Sequence, residues 1–322
     1  MPSRPVGPCS SERGRDYPIL MKAWLILTAL LLGSSAHAGP VVVVERVELD
    51  ENHPKVFKYS KEGQGYACRN RIGFSGKNKI ARPKLIKTKS GTCGRFPDAR
   101  LDEEDLKGVD FRGAELNSAH LNQTNMKGAQ LRSADINYAL LEEANLAESS
   151  AEHANFVASR LDHANLKRAK LMGANFVVSS IVGANLVEAN LNGAVLNGVD
   201  AKKAKIGKSS MRRVVARGGD FRGASFAGSD LRNADFYRAN MQRAKLTGAK
   251  LRSANLFDVD LRGADLTAAD LRYANLSKAD LRGAILKQAQ LEGAKLSGAI
   301  FNERTILPID PVEAEDRGMI EE

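Results

Sequence analysis

The stretch from Val259 to Gly283 reads VDLRG-ADLTA-ADLRY-ANLSK-ADLRG, and its period is five residues. The third place of each block is Leu; we call this place the centre. From Leu101 to Phe301 the frame holds for 41 consecutive centres, of which 25 are Leu and the rest Phe, Met, Ile or Ala. The residue two places before the centre is Ala in 29 of the 41 blocks. A period of five matches neither the 3.6 of an α-helix nor the 2 of a flat strand.

The pattern predicts a chain that winds around its own core. Two apolar residues spaced two apart point the same way only where the chain is extended. The three remaining residues of each block must then turn the chain before the next pair. Self-similarity at a short fixed period is the sequence signature of a solenoid. Inward positions therefore serve the core, and function is expected on the outward positions, the ends or the N-terminal segment.

Blocks such as ADLRG at 279–283, ANLKR at 164–168 and GDFRG at 219–223 resemble the A(D/N)LXX motif of the pentapeptide-repeat family. The resemblance covers about 200 of the 322 residues. It implies an all-β fold, a right-handed quadrilateral β-helix with 20 residues per coil and about ten coils. It also implies that the inward residues form a scaffold without chemistry of their own.

Sorting the sequence by 20 places identical residue types above one another. Two sets are expected to stack: a core ladder of Phe156, Phe176, Leu161 and Leu166, and an outward ladder of side-chain amides. The amide ladder comprises Asn125, Asn145, Asn165 and Asn185. Amide ladders of this kind stabilise stacked strands.

Residues 1–38 have the pattern of a secretory signal peptide, with Met21 as the expected start. Met21-Lys22 precedes a short apolar run and a small-residue end, so cleavage is expected between Ala38 and Gly39. The run is too short for a membrane span. The sequence thus predicts a periplasmic or secreted bacterial protein, with an inner-membrane anchor formed by an uncleaved signal as the alternative.

Residues 39–98 differ in composition from the repeat and predict a small, basic, β-rich domain that caps the first coil. Cys68 and Cys93 are the only cysteines after the predicted cleavage site. In an oxidising compartment such a pair is most simply a disulfide. Two cysteines with one nearby histidine are too few ligands for a zinc site.

Charge changes sign along the predicted β-helix, which spans 99–301. Residues 101–200 hold eight basic and 14 acidic side chains, whereas residues 201–301 hold 20 basic and nine acidic ones. The candidate basic surface comprises Lys202, Lys203, Lys205, Arg212, Arg213, Arg232, Arg252 and Arg272. Two interpretations stay open: ion pairs with nearby Asp residues neutralise it, or it binds anions.

The acidic segment 302–322 contains Pro308 and Pro311, which interrupt the strand pattern. We expect Ile306, Leu307 and Ile309 to cover the last coil or to form an interface. The resemblance adds that family members often pair through their C-terminal coils, so a homodimer is a further expectation.

The sequence predicts a non-enzymatic protein, with no catalytic, cofactor-binding or metal-ligating residues, because no His, Ser, Cys and carboxylate groups fall in register. The leading hypothesis is an exported scaffold that binds a protein or another envelope component. The alternative is binding to a polyanion or a membrane surface, such as lipopolysaccharide or lipid headgroups, through the basic N-terminal domain and the arginine stripes. Specific nucleic-acid binding is not expected, because aromatic residues are sparse among the basic ones.

The resemblance carries one more hypothesis. Quinolone-resistance members of the family resemble DNA and bind DNA gyrase through a predominantly acidic surface. This chain has a net charge of +10.

Overall fold

The structure is a computed structural model that describes residues 91–322. The predicted signal peptide, the cleavage site at Ala38 and Gly39, Cys68 and most of the domain 39–98 lie outside the described residues. From Gly91 onward the chain repeats one five-residue step, and each step is a tight turn followed by a single bridge residue.

The step beginning at Leu131 shows how the backbone groups are satisfied. The Leu131 N–H donates to Ser150 O of the next coil (2.6 Å), and the Ser133 N–H donates to Glu152 O (3.0 Å). Within the turn, the Ala134 N–H donates to Leu131 O (3.0 Å). Because every step repeats these bonds, the backbone stays paired while its side chains alternate between core and surface.

The turn places the second residue after the centre in the left-handed region. Tyr138 has φ 59° and Val178 has φ 50°, and each is the third residue of a β-turn. Type II turns require positive φ at that place and favour Gly there. Glycine accordingly fills many of the equivalent places, and the bridge network imposes the same conformation on bulky residues elsewhere.

Parallel bridges join residues 20 apart, from Arg95–Glu115 to Asp280–Ile300. The β-helix therefore has four faces, which we name A, B, C and D after the centres equivalent to Leu101, Leu106, Phe111 and Leu116. On each face the outward positions are the bridge position before the centre and the first and second turn positions after it. A vertical neighbour is always 20 residues away.

The core consists of the centres and the residues two before them, nearly all buried. The rings of Phe156 and Phe176 stack with centroids 4.9 Å apart and planes 6° apart. Leu161 and Leu166 are completely buried beside them.

The coil 201–220 keeps the bridge pattern although its centres are weak. Ala201 and Ala216 are completely buried, and the rings of Phe221 and Phe236 lie one coil further on, 5.5 Å apart in an edge-to-face contact. Small centres in one coil are thus accompanied by large ones in the next. A bend at this coil is not needed to fill the lumen.

The predicted boundary at residue 99 needs correction. Phe96 is a buried centre that contacts Phe111 edge-to-face at 5.4 Å, and Arg95 already bridges to Glu115. Cys93 takes the second turn position with φ 53°. The repeat therefore includes residues 91–98; they escape the consensus because Gly91 replaces an apolar centre.

After Phe301 the chain leaves the repeat. Ile306 bridges to Ile285, 21 residues away, so the frame slips by one residue. Three regular elements are described here: strand β1, Ile300–Phe301; helix α1, Pro311–Asp316; and strand β2, Ile320–Glu321. Strand β2 pairs in parallel with β1.

The cap differs in part from the expectation. Leu307 and Ile309 pack on the core, but Ile306 is 49% exposed because it occupies an outward bridge position. Sequence analysis did not anticipate α1, which begins after Asp310, whose carboxylate accepts a hydrogen bond from the Glu313 N–H (2.8 Å). Ala314 of this helix is buried on the last coil. The fold is thus a β-helix closed by one short helix.

Candidate interaction surface

The predicted arginine stripe of face C lies beside a row of aspartates. Arg232 donates from Nε to Asp230 Oδ1 (2.8 Å) and from Nη2 to Oδ2 (2.7 Å). Arg272 holds Asp270 in the same two-pronged way, at 2.8 and 2.9 Å. The bridge position and the first turn position lie on the same side of the chain, so an Asp-x-Arg sequence forms this pair within one repeat.

Asp230 also accepts a hydrogen bond from Arg212 Nε at 2.5 Å. Hydrogen bonds from Arg232 and Arg212 together hold the pKa of the Asp230 carboxyl far below its usual range. Lys202, on face A, lies between Asp200 (2.7 Å) and Asp220 (3.5 Å), and the Asp200 carboxylate raises the pKa of its amine. Half of the predicted basic surface is therefore neutralised.

Arg252 is different because its bridge neighbour is Lys250 in place of an aspartate. Its guanidinium lies over the ring of Tyr273, 5.1 Å from the centroid. Within residues 91–322, no carboxylate lies within ion-pair distance of Lys203, Lys205 or Arg213, the remaining predicted cations. The structure thus divides the predicted surface into paired arginines and unpaired, mostly lysine, positions.

The amide ladder lies on face B. Asn145 Nδ2 donates to Asn125 Oδ1 (3.2 Å), Asn165 Nδ2 donates to Asn145 Oδ1 (3.3 Å), and Asn185 Nδ2 donates to Asn165 Oδ1 (3.4 Å). Each amide oxygen from Asn125 to Asn185 also accepts a backbone N–H two residues on, at 3.2 to 3.4 Å. These residues fix the faces in register and leave little hydrogen-bonding capacity for a ligand.

Face D carries an uncharged strip that sequence analysis missed. Between Asn137 and Val215 its outward positions hold no Asp, Glu, Lys or Arg, whereas the other three faces are charged over the same coils. Its apolar members are Tyr138, Val157, Ala158, Val177, Val178, Val195 and Val215, which we call the face D strip. Tyr138 is 39% exposed and the others are half-buried. The signal was available, because sorting the outward positions by 20 reveals it.

Aromatic and cationic side chains follow the strip on the same face. The rings of Tyr237 and Phe257 stack at 5.8 Å with planes 14° apart. Arg238 lies over Tyr237 at 5.1 Å, and Lys278 Nζ lies over Phe257 at 5.7 Å. Phe257 occupies an outward position in the repeat frame and was therefore overlooked as part of the surface.

A shallow cleft of about 470 Å³ lies where the C-terminal cap meets the last coil, beside Leu291, Pro308 and Ile309. Its charged residue, Arg317, donates from Nη2 to Leu291 O (2.8 Å) and Ala294 O (3.3 Å). This arginine ties the cap to carbonyl groups of the final coil.

Over residues 91–322, no group of three or more His, Cys, Asp and Glu side chains is arranged to hold a metal ion. In the same part of the chain, no helix has the length and apolar character required to cross a membrane. Cys93 is disulfide-bonded. Its predicted partner Cys68 is outside the described residues, so the pairing stays a prediction.

Comparison with known proteins identifies the class. Eight copies of the pentapeptide repeat match between residues 105 and 303, in segments that cover more than half of the chain. The chain belongs to the pentapeptide repeat family, whose fold is a right-handed β-helix. No curated protein matches significantly.

Among solved structures, the chain is similar to HetL of Nostoc sp. strain PCC 7120, a pentapeptide repeat protein involved in heterocyst differentiation regulation. The two are 30% identical over 70% of this chain and 97% of HetL, with a TM-score of 0.36. A pentapeptide repeat protein of the Arabidopsis thaliana thylakoid lumen is 34% identical over 29% of this chain and 70% of its own, with a TM-score of 0.20. QnrB1, a plasmid-mediated fluoroquinolone resistance protein, is 16% identical over 51% of this chain and 85% of its own, with a TM-score of 0.39.

Proposed function

We propose that this protein is an exported, non-enzymatic scaffold that binds a partner protein through the face D strip. The β-helix buries its centres and the residues before them, so chemistry at the surface depends on the outward positions. Membership of a family of interaction modules supports the proposal at the level of class. The signal-like sequence 21–38 supports export and directs the search for partners to the envelope or the exterior.

The observation that carries the proposal is the absence of charge from the face D strip. Depletion of charged residues distinguishes the cores of protein interfaces from the remaining surface. Contiguous apolar patches on soluble proteins commonly mark interaction sites. The strip spans four coil spacings, about 20 Å at a strand spacing of ~4.8 Å. Charged residues on the other three faces would then form the surface that stays in water.

The chain offers a matched pair of variants to test this. Val177 on face D and Val187 on face B both occupy the first turn position and are both half-buried. Each backbone N–H accepts no other partner than the asparagine oxygen two residues earlier, at 3.2 Å in both cases. Val177→Glu therefore places a charge in the strip, and Val187→Glu places the same charge on another face in the same local environment.

The experiment is affinity capture from an envelope extract with the wild-type protein and both variants as bait. The proposal predicts a partner that is retained by wild type and Val187→Glu and lost with Val177→Glu. Equal capture by all three proteins would place the interface elsewhere. Catalytic turnover by the purified protein would contradict the non-enzymatic assignment.

A homodimer through the C-terminal coil remains part of the proposal. The apolar side chains of Ile285, Ile306, Val312 and Ile320 are exposed at that end of the β-helix. Sedimentation of wild type beside Ile306→Lys would show whether they form a self-contact.

A further inference from the structure

Five exposed cations are grouped on face B and its two corners. They are Lys203, Lys205, Lys208, Arg243 and Lys245, which we call the face B cluster. Over residues 91–322, no carboxylate lies within ion-pair distance of any of them, although nearby arginines on faces A, C and D are paired. The contrast arises at the bridge position. Face A and face C hold Asp there, as in Asp220 and Asp230, whereas face B holds Lys205 and Lys245.

The acidic groups that flank the face B cluster are occupied by other donors. Glu188, whose pKa is lowered mainly by its hydrogen bond with Arg168, lies on the coil before Lys208 and accepts from Arg168 Nε at 2.6 Å. Asp265 bridges to Lys245 through the backbone, but its carboxylate accepts hydrogen bonds from Thr247 Oγ1 and the Thr267 N–H, both at 2.9 Å. The cations of the cluster are therefore incompletely neutralised by their own surface.

The cluster forms two rows with a low coil between them. Lys203, Lys205 and Lys208 lie on one coil, and Arg243 and Lys245 lie two coils further on, about 10 Å away at a strand spacing of ~4.8 Å. The coil between the rows carries Gly223, Ser225 and Gly228 at the corresponding positions. Lys203 and Lys208 extend toward it, since their Cγ atoms lie 3.8 and 3.9 Å from where a Cβ on Gly223 or Gly228 would be. No bulky side chain separates the two rows.

We propose that the face B cluster binds the phosphate groups of an anionic phospholipid surface. A flat face with cations in two parallel rows matches a planar array of headgroups. Lysine is a compact, hydrated charge on a flexible stem that binds phosphate without demanding one orientation, and basic patches near anionic lipid gain affinity with each cation. Over the described residues face B has no outward aromatic side chain, so it lacks the stacking platform that single-stranded nucleic acids require. The proposal goes beyond protein binding and is independent of the face D strip.

The test compares two double variants of the full chain by co-sedimentation with vesicles. Lys205→Glu/Lys245→Glu reverses two charges at bridge positions of face B. Lys170→Glu/Lys295→Glu reverses two exposed charges at bridge positions of faces C and D, with the same change in net charge. With vesicles of phosphatidylcholine and phosphatidylglycerol, the face B variant should bind at least about tenfold more weakly than wild type. The control variant should bind within about twofold of wild type at ~0.1 M salt. Equal weakening of both variants, or none in the face B variant, would overturn the proposal.

Acetylation footprinting resolves the contact residue by residue in the wild-type protein. Anionic vesicles should protect Lys203, Lys205, Lys208 and Lys245 and leave Lys170 and Lys295 reactive. Pure phosphatidylcholine vesicles should protect none of them. Protection of the cluster by inorganic phosphate alone would overturn the membrane assignment in favour of a soluble phosphate ligand. Protection by a single-stranded oligonucleotide and not by vesicles would overturn it in favour of nucleic acid. Loss of face D partner binding would leave these results unchanged, so the two proposals fail separately.

Discussion

A Cβ on Gly219 would lie 2.6 Å from Cε2 of Phe221 and 3.3 Å from Cγ1 of Val199. Gly219 occupies the position two before a centre, where Ala is the commonest residue of the repeat. The ring of Phe221 extends toward the coil that holds the small centres Ala201 and Ala216, and Gly219 leaves room for it. The local departure from consensus is therefore a response to one large neighbour.

Gly219→Ala should lower the stability of the protein even though it restores the consensus. Overpacking a filled core costs about 1–3 kcal/mol, measurable as a lower urea midpoint. Phe221→Leu should cost stability alone but should make Gly219→Ala nearly neutral, because the obstructing ring is gone. A stabilised Gly219→Ala protein would show that the lumen has room to spare at this coil.

The amide ladder predicts a second stability effect. Asn165→Ala removes the donor to Asn145, the acceptor for Asn185 and the acceptor for the Lys167 N–H. We expect a loss of about 1–3 kcal/mol in the free energy of unfolding, because the neighbouring groups lose partners in a half-buried row. Val187→Ala, outside the ladder on the same face, serves as the control. Equal midpoints for the two variants in urea would mean that the ladder contributes no more than side-chain packing.

The ion pairs of face C predict a pH dependence. Arg232 and Arg212 lower the pKa of Asp230 in the folded protein, whereas an unfolded Asp titrates near 3.9. Since the folded pKa is the lower one, the ionised carboxylate contributes stability above about pH 4 and loses it as the pH falls further. Asp230→Asn should therefore flatten the fall in urea midpoint below about pH 4. Glu303→Gln is a matched control, because Glu303 is highly exposed and its nearest basic partner is 3.9 Å away. An unchanged acid limb in Asp230→Asn would mean that Asp230 does not contribute to acid sensitivity.

Export and oxidation of the protein are tested together by fractionating cells and measuring the intact mass without reductant. We expect a periplasmic or secreted species that begins at Gly39 and lacks two hydrogen atoms because Cys68 and Cys93 are joined. A full-length, reduced, cytoplasmic species would contradict both predictions. It would also return attention to the gyrase hypothesis, which inhibition of gyrase supercoiling would then test.

Much of the β-helix follows from sequence because its geometry is one step repeated. The 20-residue register predicted which residues stack, and the structure places Phe176 on Phe156 and Asn165 on Asn145. The ends were harder, since Phe96 begins a coil whose first centre is Gly91, and Ile306 follows a one-residue slip. Helix α1 has six residues and packs through Ala314, so its periodicity is too short to detect.

The surface was only partly predictable. An Asp two residues before an Arg indicated ion pairs, and Arg232 with Asp230 shows the geometry. Pairs between coils, such as Arg212 with Asp230, depend on how long side chains cross the strand spacing, which periodicity does not specify. The face D strip became visible only when each face was considered separately, because charged residues on the other faces hide it in the linear sequence.

The most direct test of the central claim is the affinity of the purified partner protein for three forms of the chain, measured by titration calorimetry. The account predicts that Val187→Glu binds like wild type and that Val177→Glu binds at least about tenfold more weakly, since a buried unpaired charge is costly at an interface. Equal affinity of Val177→Glu and wild type would contradict the assignment of the face D strip as the binding surface.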